Sequence, residues 1–132
     1  MHLIDTNIAI YLRDGHDRIT ARLMTLSQRP AMSLMTWVEM EGGVHADPRY
    51  ATYRRATLDA LVAAIDILPI DPPVVTAYGS IIAARGFSRA RILDRLIAAT
   101  AIVHGLTLVT INGEDFRDIP GLSLDIWPAP AQ

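Results

Sequence analysis

Cysteine is absent from the 132 residues, which removes disulfides, thiolate nucleophiles and cysteine-ligated zinc together. Lysine is absent too: all twelve basic residues are arginine. That excludes a Walker A phosphate loop and any Schiff-base mechanism. It also weakens receiver domains and aspartyl-phosphate phosphohydrolases, because both rely on a lysine beside the phosphoryl group. No apolar stretch approaches the roughly 18 residues of a membrane span, so no membrane partner is expected. The first apolar run ends at Asp5 after four residues, with no basic segment ahead of it, and reads as a strand and not a signal peptide. The cytoplasm is the expected compartment. A net charge of −2 gives no overall pull toward nucleic acid, so any such binding must come from a local basic patch.

What the chain does have is apolar bulk: 51% hydrophobic residues and a mean hydropathy of +0.26. Its length suits one domain, placed at residues 1–127 with a short loose tail at 128–132. Apolar runs and helical spacing alternate along it. Strands are expected at Met1–Ile4, Ala31–Ser33, Ile67–Ile70, Leu106–Thr110 and Leu122–Trp127. Helices are expected at 6–12, 18–28, from Thr36 to Gly42-Gly43 or shortly after, 50–65, 74–85 and 93–103. Thr36-Trp37-Val38-Glu39 has the form of a capping box, and Pro69 marks the third strand as short or near an edge. The alternation predicts an α/β fold with a mainly parallel sheet of about five strands and helices on both faces.

Four acids sit where these segments end. Asp5 closes the first strand, Glu39 follows the second by a helical turn, Asp94 opens an apolar helix, and Asp115 follows the fourth strand by a short turn. In an open α/β sheet such edges face one crevice, the usual ligand site. Singly, each acid has an ordinary explanation: Asp5 as a helix N-cap, Glu39 as the capping-box acid, Asp94 as a complement to a helix dipole, Asp115 as a turn residue. Their shared placement is not explained that way. At an effective dielectric of 20, two carboxylates about 4 Å apart cost roughly 4 kcal/mol, so such a cluster takes up protons or a cation. Oxygen-only ligands suit Mg²⁺ or Mn²⁺. His2, His16, His45 and His104 are scattered, and each is read as structural or exposed.

The local sequences also resemble a family. Leu3-Ile4-Asp5-Thr6-Asn7, then Ser33 with Thr36 and Glu39 before Gly42-Gly43, then Asp94-Arg95-Leu96-Ile97-Ala98-Ala99, then Thr110 with Asn112, Asp115 and Phe116, together are similar to PIN-domain ribonucleases. The likeness is strongest to the VapC-type toxins of bacterial toxin–antitoxin pairs. It implies a three-layer α/β/α sandwich, Mg²⁺-dependent endonuclease activity on RNA with Mn²⁺ able to substitute, and a VapB-like antitoxin as partner. By position, Asp5, Glu39, Asp94 and Asp115 fall on the family's catalytic quartet, with Asp5 and Asp94 as its metal ligands. Thr6 and Asn7 hold the first loop, and Thr110 and Asn112 border the site. Two positions depart from the family's habit: Ile111 stands where an arginine is frequent, and Leu93 where a small or polar residue is. Neither removes a carboxylate.

For the substrate, Arg85, Arg89, Arg91 and Arg95 surround Gly86-Phe87-Ser88 just before Asp94 and form the best local basic patch. Arg89, Arg91 and Arg95 are the expected phosphate contacts. Phe87 or Trp37 could stack on a base, though burial is the simpler reading of both. The high apolar fraction predicts a homodimer and an antitoxin groove beside Trp37, Val38, Met40 and the 50–65 helix. Two rivals stand beside this reading. One is a catalytically vestigial PIN-like protein-binding module, which the four intact acids oppose. The other is a DNA-directed PIN nuclease, whose long insertions this length cannot hold.

Overall fold

A computed structural model of the chain describes residues 1–130. Five strands form its single sheet: β1 (His2–Ile4), β2 (Ala31–Ser33), β3 (Asp66–Leu68), β4 (Thr107–Thr110) and β5 (Ser123–Ile126). Every pairing is parallel, in the order β3-β2-β1-β4-β5. Six helices cover it: α1 (Thr6–Arg13), α2 (Asp17–Met24), α3 (Leu34–Ala46), α4 (Ala51–Ala64), α5 (Pro72–Arg85) and α6 (Ile92–His104). Among the described residues no helix is long and apolar enough to cross a membrane.

The strand pleat sorts alternate residues into two cores. Ile4, Met32 and Val109 pack with Ile8, Leu23, Met40, Val44, Leu58 and Leu61 of α1 to α4. Their neighbours Leu3, Ala31 and Leu108 pack on the opposite face with Val74, Ile81, Ile97 and Ala98 of α5 and α6. This is the three-layer α/β/α sandwich that the resemblance implies, with the helices on both sheet faces that the alternation predicts. Strands buried on both faces read as continuous apolar runs, which is why the short strands were legible. β3, with Pro69 just beyond it, lies at the sheet edge. Trp127 is buried beyond β5, and Pro128 to Pro130 share a small hollow with Arg18, Ile19 and Arg22. Of the tail expected there, Ala131 and Gln132 lie outside the described residues.

Two helix boundaries differ from expectation: α2 ends at Met24 and not at Gln28, and α3 starts earlier. The N-cap of α3 is Ser33, whose hydroxyl accepts from Met35 N–H, so the helix begins at Leu34 and not at Thr36. Its other end, at Ala46 shortly after Gly42-Gly43 and before Pro48, is as expected. Two glycines cost such a helix about 2 kcal/mol; burial of Met40 and Val44 and the Arg54 guanidinium on the Gly43 carbonyl at 2.8 Å offset it. Gly105 ends α6 as expected, with φ 64 in the left-handed region.

Sheet order fixes where chemistry can occur. From β1 the chain builds outward through β2 and β3, then returns to add β4 and β5 on the other side. The order therefore reverses between β1 and β4, which opens a crevice at their carboxyl ends.

Candidate active site

Asp5 stands in that crevice as the residue after β1. Its carboxylate does two local tasks: Oδ1 accepts from Ile8 N–H at 2.9 Å and caps α1, while Oδ2 accepts from the Thr110 hydroxyl at 2.6 Å. Thr110 ends β4 and is fully buried; its hydroxyl also accepts from Asn112 N–H at 2.9 Å. The side chain thus ties the last motif to the first across the switch point. Burial pushes the Asp5 carboxyl above the usual range, with Glu39 and Asp115 adding to the rise and the two hydrogen bonds opposing it.

Glu39 projects from the second turn of α3. Because Ser33 is the true cap, the capping-box explanation of Glu39 falls away. Its Oε1 instead accepts from the Thr6 hydroxyl at 2.7 Å, and that hydroxyl lies 3.2 Å from the buried Thr36 hydroxyl. Asp94 lies in the first turn of α6. Its carboxyl is pushed up to about 6, first by burial, then by Asp115, Glu39 and Asp5, with Arg91 pulling the other way. Asp115 ends a short 3-10 turn (Gly113–Asp115) after β4. All four acids predicted from sequence therefore share one electrostatic neighbourhood.

Among the described residues no three of these groups converge closely enough to ligate one ion by themselves. They lie within repulsive reach of one another but apart, and a hard cation there would keep several waters. The donor set fits such an ion: oxygen only, excess negative charge, and two acids that the surroundings make costly to ionise unaided.

The substrate-side expectations divide. Asn7 is exposed at the start of α1, Asn112 is half-buried in the turn after β4, and Arg89 and Arg91 are exposed on a 3-10 turn (Arg89–Arg91) leading into α6. Arg95 does not belong with them. It is 5% exposed and its guanidinium donates to the Gly86 carbonyl at 2.6 Å, so it braces the chain and cannot reach a phosphate. Thr110 and Thr6 are likewise occupied, one holding Asp5 and the other Glu39. His16 caps α2 through Nδ1, a structural role as expected.

Sequence reading passed over two supports. Buried Ser33 and Thr100 join β2 to α6 through their hydroxyls, 3.1 Å apart. Gly113 is buried so close to Ile126 that an added Cβ would lie 2.5 Å from its Cδ1; the Asn-Gly pair was the available signal. The Thr110 tie yields a direct test. Thr110→Val keeps the shape but strands Asp5 Oδ2 and Asn112 N–H, which should cost about 1–3 kcal/mol in urea unfolding. An unchanged midpoint would show that the hydroxyl does not hold Asp5.

An acidic crevice at the switch point of a parallel sheet defines a class of site suited to divalent cations and phosphate esters. The chain belongs to the PIN-domain family, whose model matches residues 2–122. It is 39% identical to ribonuclease VapC1 of Rickettsia felis, with 92% of each chain covered. It is 28% identical to the tRNA(fMet)-specific endonuclease VapC of Salmonella typhimurium, over 95% of this chain and 96% of that one. Its fold matches the crystal structure of VapBC2 from Rickettsia felis bound to a DNA fragment from their promoter, at TM-score 0.82 and 27% identity, covering 96% and 98% of the two chains.

Proposed function

We propose that this protein is a divalent-metal-dependent endoribonuclease and the toxin of a type II toxin–antitoxin pair. The observation that carries the reading is the gathering of Asp5, Glu39, Asp94 and Asp115 in one crevice of a PIN domain. The ribonuclease and tRNA endonuclease relatives support the reaction. Structures of VapBC from Rickettsia felis and Salmonella typhimurium accompany them.

PIN-domain nucleases use a divalent metal, and in this chain Asp5 and Asp94 would hold it, as Mg²⁺ or Mn²⁺. When bound, it supplies Lewis-acid stabilisation of phosphate charge and lowers the pKa of a water. The chain's own residues do the remainder. Thr110 and the Ile8 N–H fix the Asp5 carboxylate, and Thr6 fixes Glu39. Glu39 and Asp115 orient the attacking water and receive its proton. Arg89, Arg91, Asn7 and Asn112 contact the RNA backbone and position it without reading sequence. Water oxygen joins phosphorus, the bond to the 3′-oxygen breaks, and that oxygen leaves as an alkoxide that takes its proton from solvent water. The products are a 5′-phosphate and a 3′-hydroxyl.

A partner surface accompanies this reading. An apolar groove of about 620 Å³ runs between α1, α2 and α4, walled by Leu12, Leu23, Met24, Leu26 and Leu61. It includes the 50–65 helix of the expected surface but is not lined by Trp37, Val38 or Met40, the last of which is buried in the core. An amphipathic antitoxin helix would lie in this groove. Self-association into a homodimer remains part of the proposal.

The test uses purified protein and mixed single-stranded and structured RNA. Cleavage is expected in Mg²⁺ or Mn²⁺, is lost in EDTA, and leaves 5′ ends that ligate without prior phosphorylation. Co-purification with the product of the adjacent gene should suppress it. Metal-independent cutting, or 2′,3′-cyclic phosphate ends, would overturn the reading.

A further inference from the structure

We propose that Phe87 is the base-stacking residue of the substrate site, holding an unpaired nucleobase next to the phosphate that is cut. This rests on the ribonuclease reading and adds a specificity element to the same site.

Phe87 is 64% exposed. Exposure alone carries little, because single apolar residues are common on protein surfaces. Its mounting is what sets it apart. The chain leaves α5 at Gly86, whose φ of 85 lies where a side chain would be strained. The Gly86 carbonyl is gripped by the buried Arg95 guanidinium at 2.6 Å, and Arg85 Nε donates to the Asp118 carbonyl at 2.5 Å. Two arginines are thus committed to holding the backbone just before an aromatic ring that no core receives. A ring on an anchored loop loses less freedom on binding than one on a slack loop, so more of its stacking energy appears as affinity.

Location and charge identify the ligand. The loop runs at once into the Arg89–Arg91 turn and then α6, which carries Asp94 in its first turn. Arg91 acts electrostatically on Asp94, so the turn borders the acidic crevice. Arg89 and Arg91 are exposed, and among the described residues neither is in an ion pair. An exposed ring beside two available guanidinium groups matches single-stranded nucleic acid, where bases stack on aromatics while cations follow the phosphates. A protein partner would instead call for a wider apolar surface, and the apolar groove lies elsewhere, between α1, α2 and α4.

The experiment pairs protein and RNA changes. The probe is a short single-stranded RNA and its derivatives with one abasic residue at each position around the cut bond. Cleavage in Mn²⁺ gives kcat and KM, and anisotropy in Ca²⁺ gives binding whether or not the RNA is cut. For the wild type, one abasic position should weaken binding and kcat/KM roughly 5- to 150-fold, the range that base–aromatic stacking supplies. Phe87→Ala should lose as much on intact RNA, mainly through KM, and lose nothing further at that abasic position. Phe87→Trp should behave as wild type, and Phe87→Leu as Phe87→Ala. Unchanged binding in Phe87→Ala, full rescue by leucine, or additive penalties would overturn the proposal. So would an effect of Phe87→Ala confined to self-association in sedimentation. If the wild type binds RNA without cutting it, the ribonuclease reading fails while the binding comparison still decides Phe87. If it does neither, both fall.

Discussion

Asp94→Asn should lower RNA cleavage by about 10²–10³-fold while raising the melting temperature of the metal-free protein at pH 7.5. Both effects come from one cause. The Asp94 carboxyl is pushed up to about 6, chiefly by burial and then by Asp115, Glu39 and Asp5. A raised folded-state pKa means that the native protein binds the proton more tightly than the unfolded chain. Stability from this group is therefore full below the unfolded value near 3.8 and is lost as pH rises through about 6. At pH 7.5 the ionised carboxylate penalises the native state by about 1–2 kcal/mol after a discount for solvent screening. Asparagine removes that penalty, worth roughly 3–8 °C, and with it a proposed metal ligand. The gain over wild type should vanish by pH 4. A lower melting temperature with cleavage retained would sink the assignment.

Asp5→Asn should lose cleavage to a similar degree but without the thermal gain. On sequence alone both substitutions are expected to hold or raise stability by relieving repulsion. The structure separates them. Asp5 uses Oδ1 to cap α1 and Oδ2 to accept from Thr110, whose hydroxyl already accepts from Asn112 N–H. An amide supplies only one acceptor for those two donors, so relief of charge is offset by a lost buried hydrogen bond.

Mn²⁺ at about 100 times its Kd should raise the wild-type melting temperature by roughly 8–12 °C, since a ligand of the native state alone contributes about 2.7 kcal/mol there. The size of that shift should depend on pH. Below about 6 the Asp94 carboxylate takes up a proton, and proton and cation compete, so apparent affinity falls about tenfold per pH unit. The shift should be largest above pH 7, nearly absent at pH 4.5, and small at every pH in Asp94→Ala. Differential scanning fluorimetry across a buffer series measures it. Equal shifts in wild type and Asp94→Ala would place the ion elsewhere.

The groove between α1, α2 and α4 illustrates what a local pattern omits. The apolar residues of the 50–65 helix were visible as a stripe, and a partner surface was expected from them. Which neighbours wall a groove beside them depended on how α2 packs, and neither Trp37 nor Met40 lines that groove.

Alone, the sequence determined the succession of strands and helices, because apolar runs and 3.6-residue spacing are local properties of the chain. It also determined that four acids stand at the mouths of buried segments, and that neither lysine nor cysteine chemistry is open to this protein. Only the tertiary structure decided which of those groups meet, and what each neighbour does. Thr110 holds Asp5 across 105 residues, Thr6 holds Glu39 across 33, and Ser33 meets Thr100 across 67. The same packing turned Arg95 inward as a brace and left Phe87 outside. Such outcomes depend on strand order and on burial against distant elements, and hydrogen bonds of that span leave no mark on the residues beside them in sequence.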